Sequence, residues 1–201
     1  MSARDKTDAP HTLTRRALAR WFGAGAASIG LGAGTVVAAP VVDPVLRDAA
    51  LRGLALVDHR ADPIAAAAAE TALKRLAETD PEGALLCRLY RKLDVRPAGG
   101  WRSDAGAAQA NDLTQLHTAL EASRPVRFEY TDLSDQQSTR TVLPLALVHP
   151  PQGVKLVAWC EKAEGYRQFF VREMRELTTQ AGGFGQDRLA LLQGLVEKEG
   201  A

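Results

Sequence analysis

Arg15, Arg16 and Arg20, together with Arg4 and Lys6, set five basic side chains against only Asp5 and Asp8 in residues 1–40. The whole chain of 201 residues has a formal charge of +1, so the remainder is slightly acidic. A balance of that kind gives no global field for DNA, RNA or anionic lipid. Any duplex DNA contact driven by charge is therefore assigned to Arg15, Arg16 and Arg20, and it is expected to be weak.

The other reactive residue types are scattered. Cys87 and Cys160 lie far apart and outside any CxxC spacing, and Cys160 sits in an apolar run, where a cysteine acts as a small buried hydrophobe. His11, His59, His117 and His149 show neither HxH nor HExxH spacing, so no metal site is expected. There is no GxSxG, no phosphate-binding loop and no convincing carboxylate pair. Asp132, Asp135 and Glu161 fall in turn-forming stretches and read as turn residues rather than general acids. The expectation is a protein that is not an enzyme and uses no cofactor.

The elements that position these residues follow from periodicity. An apolar content of 46% is enough for a real core. Leu46 to Val57, Pro63 to Ala77 and Pro81 to Lys92 read as three helices, the second and third opened by Asp62-Pro63 and Asp80-Pro81 as cap and first-turn pairs. The alanine run after Pro63 permits close helix packing. Residues 96–109, rich in Gly, Ala and Pro, read as a flexible linker. Asn111 to Ala122 is a helix with Leu113, Leu116 and Leu120 on one stripe, and Asp187 to Glu197 a last one with Leu189, Leu192 and Val196 inward.

Between them the period changes to two. Val126, Phe128 and Tyr130 share one face of a strand, with Arg127 and Glu129 on the other. Leu156 to Cys160 and Tyr166 to Val171 are further runs, separated by the turn-prone Glu161 to Gly165 and preceded by Pro150 to Gly153. Short strands joined by tight turns describe a small barrel or curled sheet.

The N-terminus has two readings. Thr12 to Phe22 is helical in pattern, followed by an uncharged stretch from Trp21 to Val42 that is interrupted by five glycines. Twin arginines ahead of a Gly/Ala-rich apolar run also imitate a twin-arginine export signal ending near Val37-Ala38-Ala39. Arg20 within the apolar run and Pro40 after Ala39 count against export, and the glycines suit a loop better than a transmembrane helix.

The order of strands, with Arg140-Thr141-Val142-Leu143-Pro144-Leu145, then Ala158-Trp159-Cys160-Glu161, then Tyr166-Arg167-Gln168-Phe169, resembles the WYL domain. The resemblance is closest to bacterial transcriptional regulators that join a winged helix-turn-helix to this domain. Upstream, Leu46 to Leu76 resembles their connecting helical region and Gly32 to Val37 the end of the wing. The resemblance implies an α+β chain: a helical N-terminal and linker region, a small Sm-like (SH3-type) β-barrel WYL domain, and a C-terminal helix. In those terms residues 1–42 are a disordered tail with a truncated helix-turn-helix and wing remnant, 43–95 a helical linker region, 110–180 the WYL domain and 184–198 the last helix.

The resemblance further implies a cytoplasmic regulator whose barrel senses a nucleotide or single-stranded nucleic acid. The matching polar positions are Tyr130, Arg140 and Arg167. A guanidinium on a strand offers paired donors to phosphate, and an adjacent aromatic can stack a base. The competing assignment pairs Arg140 and Arg167 with Glu129, Asp132 or Glu161 on the surface, leaves Tyr130 in the core, and makes the chain a structural or oligomerisation module. A homodimer without membrane contact is expected in either case. The family pattern is not kept throughout. Phe170 stands where a second arginine is usual, Arg172-Glu173 replaces an Asp-Arg pair, and Val154-Lys155-Leu156 occupies the signature position. Lys155 and Arg172 are the cations available to compensate, with their strand faces left open.

Overall fold

The computed structural model describes residues 43–57, 62–94, 107–132 and 134–201. Arg15, Arg16, Arg20, the wing-like segment, the export-like segment and most of the expected 96–109 linker lie outside the described residues.

Among the described residues three helices come first: α1 Pro44–Ala55, α2 Pro63–Thr79 and α3 Pro81–Leu93. Each is opened by an Asp-Pro pair. Asp43 accepts from the amides of Val45 and Leu46, Asp62 from those of Ile64 and Ala65, and Asp80 from that of Gly83. Proline at the first helical position has no amide to leave unpaired, so the pair satisfies the helix start economically. Asp80 also takes a two-pronged contact from Arg47, at 3.0 Å from Nε and 2.6 Å from Nη2, which ties α1 to the start of α3. α2 packs along α3 on its alanine face, where Ala69 is 4% exposed.

After α4 Ala110–Glu121 come five strands: β1 Val126–Thr131, β2 Gln137–Val148, β3 Lys155–Cys160, β4 Gly165–Phe170 and β5 Met174–Thr179. They form one antiparallel sheet in the order β4-β3-β2-β1-β5. β4 and β5 are thus its two edges, joined by a single 3₁₀ turn, Val171–Glu173. α5 Arg188–Glu199 closes the chain.

The sheet is strongly curled. Three strand spacings separate β1 from β4 in the hydrogen-bonded order, roughly 14 Å in a flat sheet. Yet the ring of Tyr130 on β1 lies 5.1 Å from that of Phe169 on β4, and Phe128 lies 5.3 Å from Phe169. Inside the curl these rings pack with Val126, Val142, Leu156 and Met174, and α4 plugs the core with Leu116 and Ala119. The opposite face of β2 and β3 carries a second core, where Leu145, Ala146, Val148 and Val157 meet α1, α3 and α5.

Two bulges make this double use of one sheet work. The β2–β3 register shifts between Pro144 and Ala146, so Val142 and Leu147 point into the curl while Leu145 and Ala146 point to the helices. The β1–β5 register shifts between Arg127 and Glu129. There Glu176 takes φ 51°, and the extra residue lets Met174 and Leu177, three apart, both enter the same core. Alternation alone would put them on opposite faces, which is why β5 leaves no period-two signal in the sequence.

The C-terminal helix differs in detail from its periodicity. Leu192 and Val196 are buried as expected, whereas Leu189 is half-buried, and Leu195 and Arg188 take inward positions instead. Cys87 and Cys160 are both buried free thiols. Burial pushes the Cys87 thiol up to about 11, which keeps it protonated at neutral pH.

Candidate ligand site

Arg140 lies two residues before Val142 on β2, and Arg167 two residues before Phe169 on β4. Val142 and Phe169 belong to the core inside the curl. The two arginines therefore carry the inner face outward past the apolar core, to the open end of the curl. There they line one cavity of about 390 Å³ with Tyr130, Lys155, Phe169 and Phe170. All three residues implied by the resemblance meet in it, although they come from β1, β2 and β4.

Their roles are unequal. Tyr130 is 8% exposed, edge-on to Phe128 and Phe169. Its hydroxyl oxygen accepts from the Phe170 amide at 3.2 Å. Burial moves the phenol above its ordinary value, opposed by that amide. The residue lines the cavity, but its ring is packed into the core. Arg140 donates from Nε to Ser138 Oγ at 3.0 Å, and Arg167 from Nη1 to the carbonyl of its neighbour Tyr166 at 2.9 Å. Among the described residues, neither pairs with a carboxylate; Glu129, Asp132 and Glu161 are not their partners.

Lys155 is the cation the resemblance did not assign. It opens β3 opposite Phe170, and its ammonium lies 4.6 Å from the centre of the Phe170 ring. Burial first, then the nearby Arg172 charge, depresses its proton affinity, with Glu199 opposing. A hairpin closed at Cys160 and Gly165 runs in register back to Lys155 and Phe170. Arg172, the other candidate to compensate, does not line the cavity. It stacks 4.2 Å from the same ring, with Nε on Glu173 at 3.0 Å and Nη1 on the Gln152 carbonyl at 2.6 Å.

The cavity thus sets three cations against the single carboxylate of Asp132. That carboxylate is occupied by a turn, accepting from the amides of Ser134 at 2.8 Å and Gln136 at 3.0 Å. Such an arrangement suits an anion. A second cavity, of about 260 Å³ between α1, α3, α4 and β2, is lined by as many cations. Its cations are already engaged: Arg47 with Asp80, Arg52 with Asp48 and Asp94, Arg188 with Glu82. Among the described residues no group of His, Cys, Asp and Glu is placed to hold a metal ion. No helix among them is long and apolar enough to cross a membrane.

Residues 111–179 match the family model described as the WYL domain. No curated protein matches the chain. Among solved structures, proteasome accessory factor B/C (PafBC) of Arthrobacter aurescens is similar over 73% of this chain and 21% of its own, with 20% sequence identity and a TM-score of 0.39. This chain therefore spans about a fifth of that relative's length, and at that TM-score the likeness carries no structural argument.

Proposed function

Because the chain carries a WYL domain at residues 111–179, we propose that it is a non-enzymatic regulator whose curled sheet, an Sm-like SH3-type barrel in this reading, binds a nucleotide or single-stranded nucleic acid. The observation that carries the reading is the convergence of Arg140, Arg167 and Lys155 on one cavity without carboxylate partners among the described residues. A guanidinium left without a counter-ion beside aromatic walls is a poor stabiliser of a fold but a good receptor for phosphate. The connecting helices α1 and α3 pack on the other face of β2 and β3, so ligand occupancy has a packed route to them. In the full reading the protein is cytoplasmic and homodimeric, and Arg15, Arg16 and Arg20 supply at most weak contact with duplex DNA.

The test is fluorescence anisotropy of a short single-stranded oligonucleotide with the full chain. Arg140→Ala/Arg167→Ala is expected to weaken binding by at least about thirtyfold, since each lost charge-assisted contact contributes about 1–3 kcal/mol. Equal retention by the double variant sinks the assignment and favours the structural-module reading. Sedimentation at micromolar concentration checks the dimer, and a monomer there removes that part of the proposal.

A further inference from the structure

We propose that Lys155 is a ligand-binding residue of this cavity, and that it adapts the site to a terminal phosphate monoester in preference to an internal phosphodiester. The inference rests on the binding role proposed for the cavity.

The argument starts from what holds each cation. Arg140 and Arg167 each have a neutral oxygen partner in the protein. Arg172 has a carboxylate and a carbonyl. Among the described residues the Lys155 ammonium has no hydrogen-bond or ion-pair partner, and its one polar contact is the Phe170 ring at 4.6 Å. Arg172 is drawn to the same ring at 4.2 Å, so one aromatic side chain gathers two cations that repel each other. The depressed proton affinity of Lys155 registers that repulsion together with its burial. A bound anion relieves both, because it supplies the hydrogen-bond acceptor that Lys155 lacks and adds to the partial counter-charge of Glu199.

The charge count then selects the anion. Arg140, Lys155 and Arg167 share the cavity lining with one carboxylate, Asp132, which already accepts from two backbone amides. Glu199, outside the lining and held by Gln168, is the one other carboxylate acting on Lys155. An internal phosphodiester brings a single negative charge. A terminal monoester brings about −1.5 to −2 at neutral pH, with three acceptor oxygens and a second pKa near 6. Guanidiniums grip by a planar fork, whereas an ammonium on a flexible stem is a compact point charge that reaches whichever oxygen remains. Phe170 contributes by position. It carries no charge, but its ring holds the Lys155 ammonium at the cavity wall.

The experiment uses the full chain and two short thymidine oligomers labelled at the 3′ end, identical except for a 5′-phosphate or a 5′-hydroxyl, read by fluorescence anisotropy. At about pH 7.5 the phosphorylated oligomer is expected to bind roughly tenfold tighter, and at about pH 5.5, below the second phosphate pKa, the advantage shrinks to about twofold. Lys155→Gln is expected to weaken binding of both oligomers and to abolish the difference between them, while Lys155→Arg retains it. Far-UV circular dichroism verifies that both variants are folded. Equal affinity of the wild type for the two oligomers, or an advantage that survives in Lys155→Gln, overturns the role of Lys155 and leaves the binding role of the cavity standing. Binding of neither oligomer by the folded wild type overturns both.

Discussion

Arg52→Leu is expected to lower the unfolding free energy by about 3–5 kcal/mol at neutral pH, the cost of leaving a buried carboxylate without its counter-charge. Arg52 leaves α1 and reaches four other groups besides its own helix neighbour. Its Nη1 lies 2.6 Å from Asp94 Oδ2 and 2.8 Å from His149 Nδ1, its Nη2 donates to the Leu147 carbonyl at 2.8 Å, and its guanidinium lies 4.0 Å above the Tyr90 ring. Nε binds Asp48 one turn earlier at 2.8 Å, and the Tyr90 hydroxyl donates to that same Asp48 carboxylate. Since arginine can only donate, His149 Nδ1 must accept, which places the imidazole proton on Nε2. The Asp94 side chain is 5% exposed, so in the variant its charge has no adequate solvent and keeps only the hydrogen bond from the His149 amide, at 2.8 Å.

Acid should erase this difference. Burial alone would raise the Asp94 pKa, but the His149 hydrogen bond and the Arg52 charge outweigh it and hold the carboxyl below its ordinary 3.8. A depressed carboxyl contributes stability that is present above its unfolded value and lost as pH falls through the folded value. Without Arg52, burial has less to oppose it, so the variant's carboxyl moves up and protonates sooner. Urea titrations followed by tryptophan fluorescence should show the full gap at neutral pH and a gap that narrows as acid protonates first the variant's carboxyl and then the depressed carboxyl of the wild type. A gap independent of pH would show that Arg52 acts through packing on Tyr90 rather than through Asp94.

Arg188→Met is expected to lower stability by about 2–4 kcal/mol, because it leaves backbone acceptors unpaired in a dry place. Arg188 is 7% exposed. Its Nη1 and Nη2 donate to the carbonyls of Pro144 and Leu145, each at 3.0 Å, and its Nε to Glu82 at 3.0 Å. Those carbonyls belong to the β2 bulge, where the ladder is locally disrupted and its carbonyls need partners from elsewhere. One side chain therefore fastens α5 to both the strand and α3. Glu82 retains partial exposure, 32%, so its loss of a partner costs less than that of Asp94, and the expected effect is the smaller of the two. Methionine matches the stem in length and apolar character, which isolates the guanidinium. A variant within about 0.5 kcal/mol of the wild type, as surface substitutions usually are, would mean that the carbonyls find water instead.

Local chemistry was legible in the residues themselves. Asp62-Pro63 and Asp80-Pro81 open helices because a carboxylate cap and an amide-free first residue solve the same problem at any surface position. Leu113, Leu116 and Leu120 mark the face of α4 that meets the curl, and Val126, Phe128 and Tyr130 mark the inner face of β1. β5 was not legible, since a bulge at Glu176 replaces alternation with a spacing of three. Arg52 and Arg188 were not legible either. An arginine in a helix reads as solvated, and only carbonyls and carboxylates presented by distant elements make its burial favourable.

By itself, then, the sequence determined the starts of α2 and α3, the inner face of β1, and the resemblance that pointed to Tyr130, Arg140 and Arg167, while the register that pairs Lys155 with Phe170 came from the structure. Only the tertiary structure decided that Arg140, Lys155 and Arg167 share a cavity while Arg172 is drawn off to Glu173 and Gln152. The reason is the curl. Hydrogen bonding and side-chain alternation are local and can be counted along the chain, but the bending that brings β4 back to β1 comes from packing Phe128, Tyr130 and Phe169 against one another, across three strand spacings, around α4.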